Sequence, residues 1–232
     1  ETDSGLFYTW RDLERGSAMM ANLFASLDLP TGARIAVQVE KSVEALMLYL
    51  ATLRAGYVFL PLNTAYQSGE ISYFIGNAEP AVVVCSGPNF GWVSKIAFKA
   101  GTRYVFTLGE DRTGSLLERA AYCADQHTVA TRNADDLAAI LYASGTTGLS
   151  KGAMLSHGNL LANLEQIAEI TKVYLTYGEE TVLTVLPMYH DDSSWRRWLV
   201  DDQRPFADRT DVLVFVTEPL PEALSISGEV AA

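Results

Sequence analysis

The sequence predicts an α/β protein in which strands and helices alternate to form parallel or mixed sheets covered by helices. Segments with helical spacing of apolar residues alternate with short apolar runs along most of the chain. Runs such as AVVVC, Ala81 to Cys85, are apolar throughout, which is typical of strands buried on both faces. With 232 residues, 49% of them hydrophobic, the chain is long enough to bury a substantial core.

The first helix is predicted from its start signal. Thr9 and Asp12 approximate a capping box, and apolar residues at helical spacing continue to about Leu27. The next elements that we expect are a strand from Arg34 to Glu40, a helix capped by Ser42 and ending near Arg54, a strand from Tyr57, a helix from Ser68 to Ile75, a strand from Ala81 to Cys85, a helix from Trp92 to Lys99, a strand from Arg103 to Leu108 and a helix from Ser115 to Tyr122.

Burial can be predicted for two groups of side chains. Leu46, Leu50 and Leu53 follow helical spacing and are expected to form the core face of the second helix. Cys85 and Cys123 fall in a predicted strand and a predicted helix without metal-type spacing, so we interpret them as buried thiols of a reducing compartment.

The charge balance excludes some partners. The chain has 28 acidic and 17 basic residues, a net charge of −11, which argues against nucleic acid or an anionic membrane as the main partner. No apolar run is long enough for a membrane span, and the N-terminus has no signal-peptide pattern. We therefore expect a cytoplasmic protein, or one of an organelle matrix.

The motif that carries chemistry is a glycine- and hydroxyl-rich loop between two apolar runs. The strand Leu137 to Tyr142 leads into it, and a second apolar strand leaves it. Glycines let backbone N–H groups approach an anion, hydroxyls donate hydrogen bonds to phosphate oxygens, and a lysine adds a positive charge. The predicted phosphate-binding residues are Ser144, Gly145, Thr146, Thr147, Gly148, Ser150 and Lys151.

This loop has two alternative interpretations. A Walker loop requires Gly-Lys-Ser/Thr at the start of a helix, whereas Lys151 follows Ser150 and precedes Gly152 and an apolar run. The loop is therefore not a Walker loop. A short Gly/Ser/Thr segment between strands is often no more than a turn, but the long ordered motif ending in lysine favours binding.

The motif YASGTTGLSKGAMLSHGNL resembles the phosphate-binding signature of the adenylate-forming superfamily, which includes acyl-CoA synthetases, luciferases and adenylation domains. The earlier stretch VEKSVEALMLYLATLRAGYVFLPLNTAYQSGEISYFIGNAEPAVVVC is also similar to acyl-CoA synthetases. Its residues resemble those of malonyl-CoA synthetases in particular. The resemblance covers roughly four-fifths of the chain. It implies the front part of the large N-terminal domain of such an enzyme.

The resemblance implies a two-step reaction. A small carboxylate, plausibly malonate, attacks ATP to give an acyl-adenylate and pyrophosphate, and the thiol of coenzyme A then displaces AMP. ATP, Mg²⁺ and coenzyme A are the expected cofactor and co-substrates. Lys151 is matched to contact with the departing pyrophosphate.

A second site residue follows the loop. His157 opens a predicted helix that runs to about Tyr174, and we expect this histidine to cap or pack rather than titrate. The predicted strand Thr181 to His190 ends in Pro-Met-Tyr-His, which is similar to a family segment beside the carboxylate substrate. The resemblance implies that His190 orients the acyl group.

The resemblance stops after His190. We therefore expect residues 1–190 to form a partial AMP-binding domain and residues 191–232 to form a divergent, loosely ordered tail with one strand, Val212 to Val216. The family's adenine, ribose, hinge and catalytic-lysine motifs do not occur in these 232 residues. Activity of this chain by itself is accordingly in doubt.

Two alternatives to an active acyl-CoA synthetase stay open. One is an inactive derivative that serves as a nucleotide-binding or protein-binding module, favoured by the acidic, unfamiliar tail. The other is a serine hydrolase using Ser144 with His190 and Asp191 or Asp192. The surroundings of Ser144, YASGT, do not match the Gly-x-Ser-x-Gly elbow that such enzymes use.

Overall fold

The computed structural model describes residues 6–143, 150–171, 181–184 and 213–216. Its elements are α1 (Trp10–Ala25), β1 (Arg34–Gln38), α2 (Val43–Arg54), β2 (Val58–Pro61), α3 (Ser68–Ala78), β3 (Val82–Cys85), α4 (Phe90–Lys99), β4 (Tyr104–Thr107), α5 (Ser115–Ala120), β5 (Leu137–Ala143), β6 (Lys151–Ser156), α6 (His157–Thr171), β7 (Thr181–Thr184) and β8 (Leu213–Val216). The chain divides into two compact units. The larger unit contains α1 to α5 and β1 to β6.

A six-stranded sheet organises the larger unit, with strand order β4-β3-β1-β2-β5-β6. All neighbouring pairs from β1 to β5 are parallel, and β6 is antiparallel to β5. Parallel neighbours require crossover connections, which α2, α3 and α4 supply between successive strands. The predicted α/β class with helices covering a parallel or mixed sheet is confirmed.

The start of α1 follows the predicted capping box. The backbone N–H of Asp12 donates to Thr9 Oγ1 at 3.2 Å, and the N–H of Thr9 donates to Asp12 Oδ2 at 2.8 Å. Each side chain thus satisfies a backbone donor that the helix leaves free at its first turn. The helix ends at Ala25, two residues before the predicted end at Leu27.

The two faces of the sheet carry different helices. One apolar cluster joins alternate strand residues to α3 and α4; its members include Val58, Leu60, Val83, Cys85, Ile140, Ile71, Phe74, Ile75, Val93 and Ala97. Side chains alternate along a strand, so Phe59 lies on the opposite face. There its ring contacts Tyr49 of α2, with ring centroids 5.0 Å apart. Helices α2 and α3 therefore cover opposite faces.

The core face predicted for α2 was wrong. Leu46, Leu50 and Leu53 are half-buried, and the buried apolar side chains are Val43, Ala45, Met47, Leu48 and Ala51. The helix is apolar around most of its circumference, so the spacing of its leucines does not select a face. Packing of α2 against both α1 and the sheet decides which side chains are covered.

The cysteines differ from each other. Cys85 is buried in β3, as predicted, and this burial raises the pKa of its thiol to about 12. Cys123 is half-exposed in the turn after α5, because that helix ends at Ala120 rather than Tyr122. The prediction that Cys123 is a buried helical residue was wrong.

The second unit includes α6 from Gly158 onward, together with β7 and β8. Helix α6 is described as far as Thr171, and its predicted end near Tyr174 lies outside the described residues. Its Leu161, Leu164 and Ile167 are exposed. Strands β7 and β8 lie within the two predicted strands and pair antiparallel. Among the described residues, no helix is both long and apolar enough to cross a bilayer.

Candidate functional site

The predicted phosphate-binding loop joins two adjacent strands. β5 ends at Ala143, β6 begins at Lys151, and these two residues are paired across the sheet. Antiparallel pairing places the two ends of the intervening segment side by side. The two predicted strands are confirmed, and residues 144–149 between them lie outside the described residues.

Helix α3 contacts both flanks of this loop through hydrogen bonds. The Tyr142 hydroxyl, at the end of β5, donates to Asn77 Oδ1 at 2.5 Å. The Tyr73 hydroxyl donates to the backbone carbonyl of Ser150 at 2.9 Å, immediately before β6. Tyr73 and Asn77 are four residues apart, which places them on one face of the helix.

Aromatic packing surrounds these hydrogen bonds. The Tyr142 ring lies against Phe74, with centroids 4.4 Å apart, and edge-on to Tyr73, with centroids 6.3 Å apart. Burial, and secondarily the nearby Tyr73, raise the pKa of the Tyr142 phenol. The Tyr142 hydroxyl therefore keeps its proton at neutral pH and remains a hydrogen-bond donor to Asn77.

Gly152 provides the space that Tyr142 occupies. It pairs with Tyr142 in the β5–β6 ladder, so both lie on the same face of the sheet. A Cβ atom at Gly152 would lie 2.9 Å from Ile140 Cγ2 and 3.4 Å from two atoms of the Tyr142 ring. The glycine after Lys151 thus has a packing reason as well as a place in the motif.

Lys151 is exposed at the first position of β6. Strand alternation directs its side chain to the face opposite Gly152 and Tyr142. Within the described residues it forms no ion pair. Its ammonium group is therefore available to an anion beside the end of the loop.

His157 lies where β6 passes into α6. Its backbone N–H donates to the Asp136 carbonyl at 2.9 Å, which ties the start of the helix to the residue before β5. Its buried Nε2 has no hydrogen-bond partner among the residues that the structure describes.

Several predicted site residues lie outside the described residues: Ser144, Gly145, Thr146, Thr147, Gly148, His190, Asp191 and Asp192. Of the predicted phosphate-binding residues, Ser150 and Lys151 are described, and they lie together at the start of β6. The described part of the chain has no group of three or more His, Cys, Asp or Glu side chains suited to a metal ion.

Comparison with known proteins identifies the family. The model of the AMP-binding enzyme family matches residues 2–199. The chain belongs to the AMP-binding enzyme family. Its match includes the whole β5–loop–β6 segment and Tyr73 and Asn77 of α3.

Relatives within this family are acyl-CoA ligases. A 4-coumarate–CoA ligase of Oryza sativa subsp. japonica is 34% identical over 192 residues, covering 81% of this chain and 35% of that protein. A long-chain-fatty-acid–CoA ligase of Salmonella typhimurium is 29% identical, covering 80% of this chain and 38% of that protein. The chain thus spans little more than a third of the length of these relatives.

A solved structure gives a higher identity. ATP-bound MatB from Rhodopseudomonas palustris is 46% identical, with a TM-score of 0.75 over 81% of this chain and 36% of that chain. MatB is a malonyl-CoA synthetase. The similarity to malonyl-CoA synthetases noted in the sequence is therefore confirmed, and the six-stranded sheet is that of the N-terminal domain of an adenylate-forming enzyme.

Sequence reasoning missed the polar contacts of α3 in this member of the AMP-binding enzyme family. Tyr73 lies 77 residues before Ser150, and Asn77 lies 65 residues before Tyr142. The available signal was a pair of polar side chains four residues apart beside the buried Phe74. That signal shows a shared helix face but not its partner.

Proposed function

We propose that this chain provides the ATP phosphate-binding part of an acyl-CoA synthetase that activates a small carboxylate, malonate being the candidate. The observation that carries the proposal is the β5–β6 segment, where Lys151 lies exposed at the end of a family-matched loop. The 46% identity to a MatB that binds ATP supports the nucleotide. Malonate follows from the same resemblance.

Lys151 has a defined task in the proposed first step. The substrate carboxylate oxygen attacks the α-phosphorus of ATP, forming the acyl-adenylate while the bond to pyrophosphate breaks. Negative charge grows on the leaving pyrophosphate, and a lysine at the end of the loop stabilises it together with loop N–H and hydroxyl donors. Mg²⁺, when bound, supplies further neutralisation of phosphate charge.

No general base is needed for this attack, because a carboxylate is already ionised near neutral pH. We therefore assign His190 an orienting role toward the carboxylate substrate. In the proposed second step the thiol of coenzyme A attacks the acyl carbon and AMP leaves. That step, and the complete reaction, involve the larger part of the relatives' length that this chain does not span.

A binding module without catalysis is the second candidate. It is favoured by the end of the family match at residue 199, which leaves residues 200–232 without family counterpart. A serine hydrolase using Ser144 is less well supported, because the two curated relatives named above are CoA ligases. Fluorophosphonate labelling that disappeared in Ser144→Ala would restore that hypothesis.

A thermal-shift titration with Mg-ATP tests the proposed function, because a ligand of the native state raises the melting temperature by mass action. We expect a saturable shift that is larger for ATP than for AMP. Lys151→Ala should weaken ATP binding about tenfold or more, since a charge-assisted contact to phosphate is lost. Its folding should change little, because the side chain is exposed.

Lys95→Ala is the matched control, since it removes the same charge from an exposed position on α4. Equal ATP affinity in Lys151→Ala and the parent chain would contradict the assigned role of Lys151. A cooperatively folded parent chain that shows no ATP shift would favour the second candidate.

A further inference from the structure

We propose that Tyr73 and Asn77 are positioning residues of the phosphate-binding loop, fixing its two flanks through one face of α3. The inference concerns the described residues on either side of the loop, Tyr142 and Ser150, and its functional part rests on the proposed nucleotide binding. Neither helix residue is part of the phosphate-binding motif.

Both flanks of the loop are hydrogen-bonded to α3. Asn77 holds the flank that enters the loop, through the Tyr142 hydroxyl. Tyr73 holds the flank that leaves it, through the Ser150 carbonyl. Since Tyr73 and Asn77 are four residues apart on one helix, a single rigid element fixes both ends of the loop.

Among the described residues, the start of β6 has few other contacts that would fix its position. The first four residues of β6 are exposed, so burial contributes little there. The neighbouring Ile140, by contrast, is buried in the cluster that includes Phe74. The hydrogen bond from Tyr73, which packs against that cluster, to the Ser150 carbonyl connects the cluster to the exposed end of the strand.

Fixing the flanks of the loop should favour the binding of phosphate. Donors that are already fixed near their bound geometry lose less conformational entropy when a ligand arrives. Ser150 precedes Lys151, so fixing the Ser150 carbonyl also fixes the backbone from which the Lys151 side chain projects. The two α3 residues thus act on phosphate through the loop and need not touch the nucleotide.

The variants separate the two hydroxyl contacts from general packing. Tyr73→Phe and Tyr142→Phe each remove one hydroxyl and keep the ring. Asn77→Ala removes the acceptor for Tyr142, whereas Asn77→Asp retains an acceptor oxygen and should restore parental behaviour. Tyr8→Phe is the matched control, because the Tyr8 hydroxyl donates to Glu44 Oε1 at 2.6 Å on α2, which covers the other face of the sheet.

The first measurement is hydrogen–deuterium exchange of the peptide spanning residues 141–153, without nucleotide. Loss of one such hydrogen bond should speed exchange at the β5 and β6 ends about fivefold in Tyr73→Phe, Tyr142→Phe and Asn77→Ala. Asn77→Asp and Tyr8→Phe should match the parent there. Unchanged exchange in the first three variants, with the rest of the fold intact, would overturn the inference.

The second measurement is Mg-ATP affinity by titration calorimetry. We expect about a fivefold higher Kd in Tyr73→Phe and Asn77→Ala, and parental affinity in Asn77→Asp and Tyr8→Phe. Faster exchange with parental ATP affinity would overturn the functional part. A parent chain that binds no ATP would refute the proposed function instead, and exchange alone would then decide whether α3 fixes the flanks.

Discussion

The centre and one edge of the six-stranded sheet are held in different ways. β1, paired on both sides, is buried along four of its five residues, and its neighbours are apolar strands and helices. β6 is exposed along its first four residues. It is fixed by its ladder to β5, by the packing of Gly152 and by one hydrogen bond from Tyr73 of α3 to Ser150, the residue before it. Apolar burial therefore secures the centre of the sheet, while directional polar contacts secure the edge that carries the predicted loop.

The largest expected effect comes from breaking the junction between these two regions. Phe74 is 2% exposed and contacts Tyr66, Tyr73 and Tyr142. Phe74→Ala should lower the free energy of unfolding by about 3–5 kcal/mol, because it removes transfer energy and leaves a cavity. Urea denaturation measures this change.

Phe98→Ala is the control for that prediction, since Phe98 is 56% exposed on α4. Its cost should be a small fraction of the Phe74→Ala cost. Similar losses of unfolding free energy in the two variants would show that the cluster around Phe74 does not connect the centre of the sheet to β6.

A smaller effect is expected at the glycine of the edge strand. Gly152→Ala places a Cβ 2.9 Å from Ile140 Cγ2 and should cost about 1–3 kcal/mol through overpacking. Gly76→Ala is a matched change inside α3, where, apart from the neighbouring residues and the helix's own backbone, no atom lies within 4 Å of the added carbon. Better helix propensity should make it stabilising by about 0.5–1 kcal/mol.

The opposite signs of these two Gly→Ala changes are measurable in one series of urea titrations. A neutral Gly152→Ala would mean that Tyr142 can shift without cost and that β6 is loosely placed against it. That result would remove the packing reason assigned to Gly152.

The smallest effect concerns polar contacts between α1 and the segment that follows α5. His127 Nδ1 lies 2.7 Å from Asn22 Oδ1, and the Asn22 amide donates to the carbonyls of Ala124 and Gln126. Burial, and secondarily Arg54, hold the pKa of His127 below its usual 6.5. The unfolded chain therefore binds a proton more readily than the folded chain does.

Stability from this histidine is complete above about pH 6.5 and is lost as the pH falls toward the lowered pKa. His127→Gln should accordingly flatten the decline of the unfolding free energy between pH 6.5 and 5. At pH 8 the parent and variant should show the same pH slope. Identical slopes in the acidic range would show that His127 does not contribute to this linkage.

The sequence was sufficient to predict an element where the interactions that determine it are local. The capping box of α1 involves residues three apart, and the segment from β5 to β6 shows its apolar strands and its loop within one stretch of chain. The capping box and the two strands were predicted correctly. Residues 144–149 of the loop lie outside the described residues. The resemblance of the same stretch also led to the family.

Predictions failed where distant packing decides the outcome. The leucines of α2 follow helical spacing, and so do the side chains of α2 that are buried. Only contact with α1 and the sheet decides which of these two sets is covered. The exposure of Cys123 depends on where α5 ends, and the hydrogen bond of Tyr73 depends on a partner 77 residues away. Such contacts are set by tertiary structure, which outweighs local preference.

Because β6 lies at the edge of the described sheet, Lys151 also affects the solubility of the protein. In the described part of the sheet β6 is the last strand, and it also presents Met154, which is 72% exposed. A lysine on an edge strand discourages backbone pairing with a second molecule, because adding a strand there would bury or crowd its charge. Lys151→Ala should therefore self-associate more readily than the parent chain at high protein concentration, which light scattering would detect.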